Sequence, residues 1–110
     1  MLVTEFQNRL APLQRDFREK APGRIAAIER AWSRARAMDS AADAWQELIA
    51  LAHGLAGSST PMGFPALGAA ARDLEQAIVL RRMHAGAPTP DEIDRFACLV
   101  ARLRQALNGR

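Results

Sequence analysis

The chain has 110 residues, 15 Lys and Arg against 12 Asp and Glu, a net charge of +3, and an apolar half in which aromatic residues are few and Tyr is absent. That length supplies one hydrophobic core and excludes two, and a composition dominated by Ala and Leu favours helices over sheets. The single cysteine, Cys98, excludes an intrachain disulfide; the absence of a signal-peptide pattern and of any apolar run near the ~20 residues of a membrane span predicts one cytoplasmic all-α domain over residues 1–110.

Punctuation by Pro, Gly and capping residues predicts five helical stretches, at about 4–21, 23–37, 41–60, 65–84 and 90–107. In the first, Thr4 and Gln7 have capping-box spacing, Leu10, Leu13 and Phe17 recur on one side, and Pro12 is expected to kink or divide it. Pro22 and Gly23 separate it from a second helix whose buried stripe is Ile25, Ile28, Trp32 and Ala35. A turn at Asp39 and Ser40 opens the third. Pro61 and Gly63 close that helix, and Pro65 suits the first turn of a fourth, which buries Leu67, Ala70, Leu74 and Ile78. Gly86, Pro88 and Pro90 end the fourth. A second capping-box pair, Thr89 and Glu92, begins the last helix, with its stripe of Ile93, Phe96, Ala97, Val100, Leu103 and Leu107. Four long amphipathic helices with short connections predict an antiparallel up-down four-helix bundle, with the additional N-terminal helical segment packed across one end.

The third helix carries the informative constellation, the run from Leu51 to Ser59 with Met62, Gly63, Phe64 and Leu67 after it. On a helical wheel Ala44, Leu48, Leu51, Leu55 and Met62 form one stripe, and His53 lies roughly 150° from its centre, facing solvent. Gln46, Ile49, Ala50, Ala56, Gly57 and Thr60 surround it on the outer face, none of them formally charged. Gly54 and Gly57 each cost the helix about 1 kcal/mol relative to Ala. Gly57, one turn beyond His53, removes a side chain that would obstruct another protein's approach to the imidazole. A solvent-exposed imidazole is largely neutral near pH 7 and offers a ring nitrogen as nucleophile toward a phosphoryl group. A lone exposed histidine is ordinarily just a surface residue; the small, uncharged surroundings argue otherwise here.

The run from Ala52 to Glu75 resembles the signature of histidine-containing phosphotransfer (HPt) domains. Ala52, His53, Leu55, Gly57, Ser58, Ser59, Gly63 and Leu67 match it without gaps, and Leu74 and Glu75 close it. The resemblance implies an up-down bundle in which His53 is the phosphoacceptor of a phosphorelay. It implies receiver domains of response regulators as partners, docking over Ile49, Ala50 and Gly57, with a hybrid histidine kinase as a further candidate partner. Mg²⁺ belongs to the receiver on this reading, and the chain needs no cofactor of its own. One departure is Ala56, where many family members carry a lysine able to bind the phosphoryl oxygens. It leaves open an alternative: an HPt-like adaptor that binds a receiver or histidine kinase without carrying phosphate.

Other residues carry less. Two distant histidines, His53 and His84, and one cysteine do not make a zinc set, so no metal is expected. Cys98, beside the last stripe, reads as a partly buried small hydrophobe. Ser58 and Ser59 point more than ~80° away from His53 on a helix and lack an acidic orienter for a triad. Trp32 and Trp45 read as core or boundary residues. The positive charge is spread over arginines, Lys20 being the only lysine, without a basic motif or stacking platform. Nucleic acid is therefore not an expected partner.

Overall fold

A computed structural model describes residues 2–37, 41–84 and 86–109. It holds four helices, α1 (Leu2–Arg36), α2 (Ala41–Ser59), α3 (Pro65–Arg82) and α4 (Pro90–Asn108), and no strand among the described residues. α1 packs on α2 and α4, and α3 packs on the same two. The helices therefore stand at the corners of an up-down bundle, with α1 diagonal to α3. No helix among the described residues is long and apolar enough to cross a membrane.

The predicted break at Pro22 and Gly23 is absent, because α1 runs through both residues. Phe17, Ala21, Ile25, Ile28, Trp32 and Ala35 are buried along one uninterrupted stripe, while Pro22 and Gly23 lie exposed on the opposite side. A proline there removes a helical N–H where water can serve the orphaned carbonyl, so packing on the inner face overrides the local breaker. At about 1.5 Å per residue the 35 residues of α1 outreach the 19 of α2 by roughly 24 Å, which accounts for the 56 Å long axis. The additional N-terminal segment thus continues α1 beyond the bundle instead of crossing its end, and Val3, Phe6 and Leu13 remain exposed. Thr4 lies inside this helix, so the expected cap at Thr4 and Gln7 does not form. The expected turn at Asp39 and Ser40 lies outside the described residues.

The centre of the core is aliphatic: Ile25, Ile28, Leu48, Leu55, Leu67, Leu74, Ile78 and Leu103 are fully buried. Aromatic rings close its ends. Trp32, Trp45 and Phe96 meet with centroids 5.1 to 6.0 Å apart at one end, and Phe17 and Phe64 meet at 5.3 Å at the other. The expected capping box at Thr89 and Glu92 opens α4, both of its hydrogen bonds being present, and Pro65 stands at the start of α3. Cys98, expected to be partly buried, is exposed; α4 turns Phe96, Val100 and Leu103 inward, and residue 98 falls on the far side of that stripe.

Arginine–carboxylate pairs cross three of the four seams between neighbouring helices. Arg34 meets Glu47 between α1 and α2, Arg104 grips Glu29 through two bonds of 2.7 and 2.9 Å between α4 and α1, and Arg81 grips Glu92 at 2.9 and 3.0 Å between α3 and α4. The Arg104 hydrogen bonds hold the Glu29 carboxyl below the usual carboxylate range and raise Arg104 in turn. Glu92 is lowered first by the Thr89 backbone N–H and next by Arg81.

Candidate functional site

The turn between α2 and α3 sets the geometry of the remaining seam. Gly63 adopts φ +91°, its N–H donates to Thr60 O at 3.1 Å, and the Phe64 N–H donates to Ser59 O at 2.8 Å. This paired reversal suits glycine because its φ lies in the left-handed region. Beyond the turn, Gly68 lies so close to α2 that a Cβ on it would stand 2.5 Å from Thr60 Oγ1. Thr60 and Gly68 therefore face each other, and seven residues further from the turn on each antiparallel helix, about two turns, His53 faces Glu75.

His53 projects from α2 with its side chain 76% exposed, as expected from the wheel, and its Nδ1 lies 2.6 Å from Glu75 Oε2. A carboxylate can only accept, so in the neutral ring this contact places the proton on Nδ1 and leaves the Nε2 lone pair for chemistry. The two ring nitrogens point in nearly opposite directions, which turns Nε2 away from α3. Glu75 is half-buried, anchored on α3 between buried Leu74 and Ile78. Its bond to His53 is the cross-link of the α2/α3 seam that corresponds to the arginine pairs elsewhere.

Gln46, Ala50, Gly57 and Thr60 are exposed and Ile49 is half-buried, but Ala56, expected on the outer face, is only 5% exposed. α2 lies between α1 and α3 and buries a wide arc centred on Leu48, Ala52, Leu55 and Ser59, whereas Leu51 and Met62 are only half-buried. The large side chains alone centre the stripe nearer Leu51; the buried alanines Ala44, Ala52 and Ala56, which let neighbouring helices approach, shift it. A Cβ on Gly57 would meet nothing within 4 Å, so the surface one turn from His53 is open backbone.

The serines beside His53 serve the helix. Ser59 Oγ donates to Leu55 O at 2.6 Å inside the core, and Ser58 Oγ donates to Gly54 O at 2.9 Å. His84 lies at the far end of α3, with Nδ1 3.1 Å from Leu80 O. No group of three or more metal-ligating side chains is gathered among the described residues. Trp32 and Trp45 are both buried in the aromatic end of the core.

In the sequence Glu75 closes the motif without an evident task. The signal was present in the numbering: His53 and Glu75 stand eleven residues before and after Phe64, the pairing a hairpin centred on that turn requires.

The chain matches no curated protein and no solved structure. Residues 12–108 match the family model of the Hpt domain, whose members are helical bundles that perform histidine phosphotransfer in phosphorelays and interact with receiver domains and histidine kinases. With nearly its whole length matched, and with the bundle described above, the chain belongs to the Hpt domain family.

Proposed function

We propose that the chain is a phosphoryl carrier in which His53 accepts a phosphoryl group from the aspartate of one receiver domain and returns it to the aspartate of another. The observation that carries this reading is the side chain of His53, exposed on a rigid helix with Nδ1 held by Glu75 and Nε2 turned outward. The Nε2 lone pair attacks phosphorus in line, the P–O bond to the donor aspartate breaks, and its electron pair leaves with the carboxylate. The Nδ1 proton stays in place, and Glu75 balances the positive charge that the ring gains. No proton need leave the site, so the same geometry serves the reverse step. The uncharged surface of Gln46, Ile49, Ala50, Gly57 and Thr60 receives the partner, and Ala56 supports it from beneath. The receiver's own Mg²⁺ and acidic pocket complete the transfer.

The test is incubation with a radiolabelled phosphorylated receiver. Acid-labile, alkali-stable label is expected on the wild-type chain and not on His53→Gln, which should keep its helix content. Label retained by His53→Gln would place the acceptor elsewhere. A wild-type chain that binds receivers without ever gaining label would be the adaptor instead.

A further inference from the structure

The sequence of α2 contains no lysine or arginine, so a phosphoryl group on His53 finds no cation on its own helix. The neighbouring α1 supplies one. Arg24 is half-buried, makes no ion pair among the described residues, and lays its guanidinium over the Phe17 ring, 5.7 Å from the centroid. From there it reaches α2 next to the candidate acceptor: a Cβ on Gly54 would stand 3.3 Å from Arg24 Nη2. The missing Cβ at Gly54 thus makes room for the guanidinium, a use for a mid-helix glycine that costs about 1 kcal/mol relative to Ala. Arg24, Gly57 and Ser58 line a groove of about 400 Å³ between the two helices. Lys20 lies on the same groove but is engaged with Asp16 at 3.1 Å.

We propose that Arg24 is the cation that contacts the phosphoryl group, reaching across Gly54 to donate hydrogen bonds to the oxygens carried on Nε2 of His53. The proposal rests on phosphotransfer at His53. Glu75 takes Nδ1 on the α3 side, which turns Nε2 away from α3 and leaves the α1 side open to a donor. A guanidinium presents paired N–H groups to phosphoryl oxygens and offsets their charge both in the loose transition state and in the product. Phe17 holds the fork in readiness, because a cation held over a ring face keeps N–H groups available. Arg72, one turn before Glu75 on α3, is the rival cation.

A small donor separates this contact from docking. In phosphoramidate the attack of Nε2 on phosphorus expels ammonia, and no receiver interface is involved. Wild type, Arg24→Gln, Arg24→Lys and Arg72→Gln are compared as full-length chains, with helix content and melting temperature recorded for each. Arg24→Gln should label about tenfold more slowly, as loss of one charge-assisted hydrogen bond implies. Arg24→Lys, which keeps the charge and the stem, should stay within about threefold of wild type, and Arg72→Gln should match wild type. A ³¹P titration of the phosphorylated chains adds a readout that packing alone would not move: the phosphoryl midpoint should rise by roughly half a unit in Arg24→Gln, since the cation favours the dianion. An unlabelled wild-type chain would overturn the His53 reading itself. A labelled wild type with Arg24→Gln equally fast, with the Lys and Gln variants equally slow, with the ³¹P midpoint unmoved, or with the loss seen in Arg72→Gln instead would overturn the role of Arg24 alone.

Discussion

Substitution at Gly57 separates stability from access in opposite directions. The residue is helical and exposed, and a Cβ there meets no atom within 4 Å, so alanine fits without strain. Replacing glycine by alanine at such a position stabilises by about 1 kcal/mol, which for a domain of this size raises the melting temperature by about 3–6 °C. Glutamine gains a similar though smaller helix benefit, but its side chain projects into the surface one turn from His53. A crowded contact costs about 1–3 kcal/mol, or roughly fivefold to somewhat over a hundredfold in the affinity of a docked partner. Gly57→Gln should therefore melt higher than wild type, accept phosphate from a phosphorylated receiver at least about fivefold more slowly, and lose much less of its rate with phosphoramidate. Thermal melts followed by circular dichroism and parallel labelling with the two donors measure all three. Receiver-driven transfer at the wild-type rate, or equal loss with both donors, would refute the claim that Gly57 exists for access.

Further outcomes follow from the same geometry. Glu75→Ala should leave the fold intact yet slow labelling of His53 about three- to tenfold by releasing the ring tautomer, and Glu75→Gln, whose amide oxygen still accepts, should fall between; equal rates in all three chains would remove the positioning role. Glu29 is held below the usual carboxylate range by Arg104, so its contribution to stability is present above the ordinary value of about 4.3 and is lost as pH falls through the lower folded value. The melting temperature should accordingly decline below about pH 4, with a shallower decline in Glu29→Gln, read by melts between pH 6 and 3 (roughly the carboxylate range). Thr89→Ala breaks the capping box of α4 and should destabilise the chain by about 1 kcal/mol in urea titrations without changing the labelling rate of His53.

Much of this was legible because the relevant signals are local. The spacing of Leu67, Ala70, Leu74 and Ile78 fixed which side of α3 turns inward, and the Thr89 and Glu92 pattern fixed where α4 begins. The exposure of His53 followed from the stripe opposite it. What failed depended on neighbours. Pro22 and Gly23 read as a boundary because local preference takes no account of the Phe17-to-Ala35 stripe that carries α1 through them. Ala56 read as surface because the burial of a small residue is decided by how closely other helices approach, which its own side chain does not announce. The missing lysine at Ala56 left room for an arginine from a neighbouring helix, but nothing singled out Arg24, since its reach to Gly54 depends on the register between α1 and α2.

The placement of charges fits the proposed use of a histidine in a helix seam for chemistry. Arginine pairs span the other three seams, whereas the α2/α3 seam is held by the Gly63 turn, the close approach of Gly68, and the buried Leu48, Leu55, Leu67 and Leu74. Exposed ion pairs contribute little, typically about 0–1 kcal/mol, so the His53–Glu75 contact adds little to a seam already fixed by packing. A group on which the fold depends could not gain and lose a dianion without disturbing its helix. Here the turn and the core hold the backbone while the imidazole, secured at one nitrogen, is released at the other. Substitutions at His53 and Glu75 should therefore report on transfer with the bundle unchanged, whereas Gly68→Val, which drives a branched side chain into Thr60, should damage both together.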